Sequence, residues 1–164
     1  AVTFLCVLTA CSHSGLVDEG LIHLRSMSKK YGLEPVIEHY TCMVMGFGCE
    51  GNFAKAMSII KVMPCSDDPS VWLALLGTCR KWENVKLGRL AFDQAIQLGG
   101  GCALAYVLMS NIFAVAGMQE DAKTVDIMRL KNMVSAQPES LKWVDSSGSA
   151  YLFFVCETQA SFRN

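Results

Sequence analysis

Apolar residues recur every three or four positions along most of this chain, and the recurrence is interrupted at regular places. Val2, Phe4, Leu5, Leu8 and Cys11 fall at helical spacing, the pattern of an amphipathic helix and not the strict alternation of a half-buried strand. Gly15 then interrupts the run, since a residue free to adopt positive φ ends a helix readily. A second run follows, with Leu16, Gly20, Leu21, Leu24 and Met27 expected on its inward side. It stops near Gly32-Leu33-Glu34-Pro35, because proline disfavours helix at the residue before it. Two amphipathic helices with a tight turn between them make a helical hairpin.

The hairpin recurs. An aromatic residue opens each copy (Phe4, Tyr40, Trp72 and Tyr106), at spacings of 36, 32 and 34 residues. Eleven residues later stands Gly15, Gly51 or Gly117, with Glu83 in the third copy. Sixteen residues after the aromatic the side chain is small every time: Gly20, Ala56, Gly88 and Ala122. A larger residue there would hold the two helices apart, and overpacking of that kind costs about 1–3 kcal/mol. Units of this length stack because each can bury its apolar face only against its neighbours. The expected fold is all-α: a right-handed α-solenoid of helix-turn-helix hairpins. Such arrays present extended binding surfaces and seldom carry out chemistry.

After about Asn132 the pattern changes. Leu141–Asp145 and Tyr151–Val155 flank Ser146-Ser147-Gly148-Ser149, and aromatic and β-branched runs around a glycine-containing turn predict a short C-terminal β-hairpin. A lone hairpin is marginal in water, so this one is expected to dock on the last helices or on a partner. Trp143, Phe153 and Phe154 are the candidate docking residues.

Composition narrows the function. The 164 residues are 52% hydrophobic and 18% charged, with a net charge of −1. Free-standing nucleic-acid binders are usually basic, since phosphate neutralisation supplies much of their affinity; this segment alone is expected to bind nucleic acid weakly. No apolar run approaches the ~18 residues that span a bilayer. Cys11 and Cys79 lie seven residues after the unit aromatic, and Cys6 and Cys42 two after it. Cysteines repeating at equivalent helix positions are expected to be small core residues in a reducing compartment, not bridges. No C-x-x-C occurs, and His13, His23 and His39 form no metal-ligating arrangement, so neither zinc nor another cofactor is expected. No nucleophile–base set or phosphate loop stands out, which argues against an enzyme and against a small-molecule substrate. The chain starts at Ala1 inside a helical pattern, with no signal or transit peptide visible; it is expected to be the C-terminal part of something longer.

These residues resemble a known family. Val2-Thr3-Phe4 followed by Thr9-Ala10-Cys11-Ser12-His13-Ser14-Gly15-Leu16-Val17-Asp18-Glu19-Gly20 looks like the long-type repeat near the C-terminus of plant pentatricopeptide-repeat proteins of the PLS class. Glu38-His39-Tyr40-Thr41-Cys42-Met43-Val44 is similar to the short-type repeat that follows. Val71-Trp72 with Ala74-Leu75-Leu76-Gly77-Thr78-Cys79-Arg80, and Tyr106-Val107-Leu108 with Ser110-Asn111-Ile112, resemble the two degenerate units called E motifs. The stretch with Trp143 and Gly148 looks like the start of the extended E region. The resemblance thus implies a long-type repeat at 1–36, a short-type repeat at 37–68, E-motif hairpins at 69–101 and 102–136, and a partial extended-E tail at 137–164. The sequence departs from the family at Glu83 and at Glu139, which stands where a turn glycine is common.

What the resemblance implies is organellar RNA processing, chiefly cytidine-to-uridine editing in mitochondria or chloroplasts, with the mitochondrion preferred here. The array would bind single-stranded organellar RNA, and the E region would position or recruit a deaminase or an editing-accessory protein. A zinc deaminase needs an H-x-E…P-C-x-x-C pattern, and none is present in these residues; the deaminase is expected in trans or beyond Asn164. Base choice in such repeats resembles a two-residue code, formed by the residue after the unit aromatic and the last residue of the unit. The pairs here are Leu5 with Val36, Thr41 with Asp68, and Leu73 with Cys102. Only Thr41 and Asp68 are polar, the combination the family associates with guanine: a carboxylate accepts the guanine N1–H and N2–H donors. Asp68 precedes Pro69-Ser70 at a predicted helix start, so capping is the competing role. The alternatives are a scaffold for protein–protein contacts of the tetratricopeptide kind, whose hairpins are equally long, and a truncated, non-functional copy.

Overall fold

The computed structural model describes residues 2–64, 67–99 and 102–135. The four predicted helical hairpins form. The order is α1 (Val2–Ser14), α2 (Val17–Tyr31), α3 (Ile37–Cys49), α4 (Phe53–Val62), α5 (Ser70–Lys81), α6 (Val85–Gly99), α7 (Ala103–Val115) and α8 (Gln119–Ser135). Among the described residues there is no strand. The β-hairpin expected within 137–164, with Trp143, Phe153 and Phe154, lies outside the described residues.

One corner closes all four hairpins. The amides of Leu16, Asn52, Asn84 and Met118 donate to the carbonyls of Cys11, Phe47, Cys79 and Phe113 at 2.9, 2.8, 3.0 and 2.8 Å. These bonds take up carbonyls that the end of each first helix would leave unpaired. The turn requires a left-handed residue just before the donor. Gly15, Gly51 and Gly117 occupy it with φ of 73°, 78° and 76°, and the third copy forces Glu83 into the same place at φ 50°. In two hairpins the donor residue also opens the second helix: Asn52 Oδ1 accepts from the Lys55 amide at 3.3 Å and Asn84 Oδ1 from the Leu87 amide at 3.1 Å.

Left-handed backbone costs a residue with a Cβ about 1–2 kcal/mol. Glu83→Gly relieves that cost against some loss of unfolded-state restriction. It is expected to stabilise the chain by about 0.5–1 kcal/mol, visible as a higher denaturant midpoint at unchanged slope; a lower midpoint would refute the assignment.

The first helices α1, α3, α5 and α7 stack side by side, each on the next, while α2 also packs on α3 and α6 on α7. They run parallel. Thr9 touches Cys42, and Ser12 lies where a side chain on Gly46 would go; Thr78 faces Gly48, and Lys81 reaches Cys49. A single core runs through the stack, from Leu8, Val17, Leu24 and Met27 through Phe47, Leu75 and Leu76 to Met109, Ile112 and Phe113. Trp72 and Tyr106 are buried in it, and Phe4 and Tyr40 pack against it half-buried.

The small-residue position behaves as its spacing implies. A Cβ on Gly20 would sit 3.0 Å from Met43 and 3.2 Å from Cys11; one on Gly88 would sit 3.1 Å from Ile112 and 3.7 Å from Cys79. Each glycine therefore lies close to the first helix of its own hairpin and also to the first helix of the next. Ala56 and Ala122 are buried at the same place.

Some predicted inward positions are corrected. Val2 and Leu16 are exposed, and Val17, one residue on, is buried in place of Leu16. Cys11 and Cys79 are buried core thiols, but Cys6 is exposed and Cys42 only half-buried. Cys42 has Thr9 of the preceding first helix beside it at 3.5 Å, whereas α1 is the first described helix and has no such neighbour.

Candidate nucleic-acid interface

The parallel register of the first helices sets the residues that the sequence paired at one end of the layer. Thr41 lies near the start of α3, and Asp68 immediately precedes Pro69 and α5. Because α3 and α5 pack side by side and run the same way, both residues belong to the same end of the layer. Leu5 and Leu73 lie near the starts of α1 and α5 and are half-buried. Val36 is exposed before α3 and Cys102 half-buried before α7.

Both polar members already have a structural task. The Thr41 hydroxyl donates to the Ile37 carbonyl at 2.9 Å, and the residue is 7% exposed. Asp68 Oδ1 accepts from the Ser70 amide at 2.7 Å, so it satisfies the first amide of α5 from the residue before the N-cap position, Pro69. The capping role is therefore real. It occupies one carboxylate oxygen, and a carboxylate has two. His39, two residues before Thr41, is buried and takes the Val36 amide on Nδ1 at 3.2 Å; that fixes the entry into α3 and was not foreseen from the sequence.

Charge is segregated between the two layers. Within the described helices, Arg80 and Lys81 are the only lysine or arginine residues on the first helices; Arg25, Lys29, Lys30, Lys55, Lys61, Lys86 and the others all sit on second helices. The layer carrying Thr41 is therefore apolar and nearly uncharged. Shape and hydrogen bonds, not phosphate neutralisation, would have to supply most of its grip on a nucleic acid.

Near the ends of α3 and α5 a second set of contacts locks the layer. Trp82 Nε1 donates to the Gly48 carbonyl at 3.0 Å, Lys81 Nζ donates to the Cys49 carbonyl at 2.9 Å, and the Trp82 ring covers Gly51. Helix carbonyls at a C-terminus favour cationic and N–H donors. Gly46 and Gly48 make the close approach possible. A Cβ on Gly46 would lie 2.4 Å from Val17, and one on Gly48 would lie 2.3 Å from Thr78. Neither glycine nor Trp82 was singled out from the sequence. A glycine inside a helical pattern, with no turn signal around it, is the cue that would have found them.

The thiols differ as their surroundings dictate. Burial pushes Cys79 up from 9.0 to about 12. Cys42 is also raised, chiefly by burial and slightly by Glu38, with the Thr9 hydroxyl pulling the other way. The thiolate reacts, so alkylation at mildly alkaline pH is expected to mark Cys6 first, Cys42 slowly and Cys79 only on unfolding. Mass mapping checks the order; early labelling of Cys79 in the folded chain would contradict it. The folded Cys79 value lies above the unfolded one, so its contribution to stability is intact below pH 9.0 and drains as pH rises towards about 12. Cys79→Ala flattens that alkaline limb.

Among the described residues no group of three His, Cys, Asp or Glu side chains could hold a metal ion. No described helix is long and apolar enough to cross a membrane.

Comparison with known proteins matches two of the repeats and finds relatives along the chain. The model described as PPR repeat matches residues 2–31 and 38–67. A mitochondrial pentatricopeptide repeat-containing protein of Arabidopsis thaliana is 40% identical over 155 residues, 94% of this chain and 25% of that protein. A second mitochondrial protein of that description from the same plant, named as putative, is 40% identical over 152 residues, 93% of this chain and 24% of its own length. A chloroplastic one is 36% identical over 156 residues, 94% of this chain and 20% of the relative. The chain thus spans about a quarter of the length of the first two relatives. No solved structure matches. Residues 2–31 and 38–67 are pentatricopeptide repeats, and over nearly all its length this chain is homologous to the pentatricopeptide repeat-containing proteins of plants.

Proposed function

We propose that this chain is the RNA-recognition and recruitment end of an organellar RNA-processing factor of the PLS class. Its third and fourth hairpins act as E motifs, and the deaminase for cytidine-to-uridine editing is supplied in trans. The repeats at 1–36 and 37–68 lie against single-stranded RNA, and the hairpins at 69–101 and 102–136 with the tail at 137–164 serve the partner. The compartment is the mitochondrion or the chloroplast, in keeping with the names of the relatives. One observation carries the reading. The only polar pair among the code positions, Thr41 and Asp68, belongs to the N-terminal end of two adjacent helices, α3 and α5, which supports the reading. The near absence of charge from that layer agrees with a segment that selects a base while the rest of a longer array supplies affinity.

The test is base preference in the full-length array. Thr41→Asn, which leaves Asp68 in place, is expected to move the preference at one position from guanine to uracil. A good hydrogen-bonded base contact carries about 1–3 kcal/mol of discrimination. Asp68→Asn, which removes the charge and replaces one acceptor oxygen with an N–H donor that opposes the guanine donors, is expected to abolish the guanine preference with little change in overall affinity. Unchanged preference in both variants overturns base reading, and absence of any RNA binding favours a protein-interaction scaffold of the tetratricopeptide kind.

A further inference from the structure

The fourth hairpin departs from the other three where a following unit would stack. Twenty residues after the unit aromatic stand Leu24, Ile60 and Phe92. Leu24 and Ile60 are buried, and Phe92 meets the Tyr106 ring of the next hairpin edge-on at 5.2 Å. The fourth copy has Asp126 there, which accepts the Ser110 hydroxyl at 3.1 Å. Burying a carboxylate under another hairpin is costly, and a polar outer face is how stacked arrays end. The end face of α7 and α8 is thus poorly suited to a further unit of the same kind.

It is only partly polar, however. Leu130, four residues beyond Asp126, is 57% exposed, whereas its counterpart Ile96 packs against the core. On α7, Ala114 occupies the place of Ser12 and Gly48, which at the first two junctions lie against the following first helix. Ala114 is exposed, and Val107, two turns earlier on the same side, is half-buried. The described helices that pack on α7 are α5, α6 and α8.

The chain itself runs on from the edge of this face. Asn132 bonds the Tyr106 hydroxyl, so the start of α7 lies beside the end of α8, and Val107 and Leu130 are near neighbours of the point where α8 finishes at Ser135. Leu130 is five residues before that point, about 8 Å along the helix. Trp143 is eight residues after it, a reach of about 26 Å when extended. Leu141, Trp143 and Val144 supply large apolar side chains within that reach. A segment tethered so closely acts at an effective concentration in the millimolar range, which a second copy or a separate partner does not match.

We propose that residues 141–144, led by Trp143, fold back over Leu130 and Val107 and close the end of the stack. The inference stands on packing and chain length, not on the RNA reading; a partner served by the tail would meet it seated there.

Photocrosslinking in the full-length protein tests it. A benzophenone side chain is placed at Leu130, and in a control at Ile22, a comparably exposed apolar position on α2. Isotopically light and heavy copies are mixed before irradiation. The probe at 130 is expected to join the peptide that carries Trp143, within one copy, at a yield about fivefold above that from 22. Equal yields overturn the docking. Products that join a light copy to a heavy one give the face to a second molecule, and capture of another protein or of a distant part of the chain gives it to that occupant; each overturns the proposal. Trp143→Ala is expected to cut the yield from 130 about fivefold with helix content unchanged by circular dichroism. An undiminished yield overturns Trp143 as the anchor.

Discussion

Gly48→Ala destabilises the folded chain by about 1–3 kcal/mol, the range expected when a methyl is forced into a well-packed interface. The new Cβ would stand 2.3 Å from Thr78 Oγ1 and 2.8 Å from Thr78 Cβ. Thr78 has little room to yield: it is fully buried, it is β-branched, and its hydroxyl donates to the Leu75 carbonyl at 2.7 Å. Two helices must therefore move apart, and α3 cannot retreat freely, because Gly46 holds it equally close to Val17 and Ser12 on the other side. The control is the double variant. Thr78→Ala opens the space that the new methyl needs, so Gly48→Ala combined with Thr78→Ala is expected to lose less than the two single losses together. A coupling of about 0.5–3 kcal/mol is the usual size for residues in contact. Denaturant midpoints of the four proteins give the result directly, and strict additivity would show that Thr78 does not govern the approach of α3 to α5.

Gly51→Ala is expected to be as damaging for two separable reasons. Its φ of 78° places any Cβ in the left-handed region, a cost of about 1–2 kcal/mol. The same Cβ would lie 2.9 Å from the Trp82 ring. The ring is half-exposed and can swing aside, but doing so breaks its 3.0 Å bond to the Gly48 carbonyl and uncovers the end of α3. Gly117→Ala supplies the comparison. Gly117 has nearly the same φ, 76°, with nothing within 4 Å of the added methyl. It is expected to show the backbone cost alone. The difference between the two variants isolates the Trp82 contribution, expected at about 1 kcal/mol for a lost hydrogen bond together with its packing. Equal losses would mean that Trp82 adds nothing to this corner.

The repeat itself was legible because it is written in residues whose physical roles admit few substitutes. Glycine is needed where φ turns positive, and three of four corners have it; small residues are needed where the two helices of a hairpin approach closely, and all four copies have them buried or at close contact. The fourth corner shows the limit of that logic. Glu83 broke the expected glycine pattern, yet the backbone there adopts φ 50°, because the Asn84-to-Cys79 bond and the packing of α5 on α6 impose the turn on whatever residue is present. The contacts between units were harder to see. The pattern of one unit specifies one inward face, whereas α3 is packed from both sides; Gly46 and Gly48 serve a second face that no single-unit pattern reveals. Cys6 misled for a related reason: equivalence within the repeat assumes an equivalent neighbour, and α1 has none among the described helices.

The candidate site was legible in identity more than in state. Thr41 and Asp68 stand near the starts of α3 and α5, and their hydrogen bonds to the Ile37 carbonyl and the Ser70 amide are details of local helix geometry. Side-chain capping of this kind follows from where a helix begins to within one residue, which pattern alone does not fix. The charge difference between the layers was present in the sequence from the start. It became meaningful only when the helices were sorted into first and second members.

The shared corner has a consequence for how the chain can change length. From the unit aromatic to the residue that closes the turn there are always twelve steps: Phe4 to Leu16, Tyr40 to Asn52, Trp72 to Asn84, Tyr106 to Met118. The variation among copies is therefore confined to the far rim, where second helices finish and the next hairpin starts. An insertion at the rim only lengthens a connection, whereas one at the corner shifts the phase of an entire helix. The stack behaves as a rule with one graduated edge and one free edge, and new sequence can be accommodated along the free edge alone.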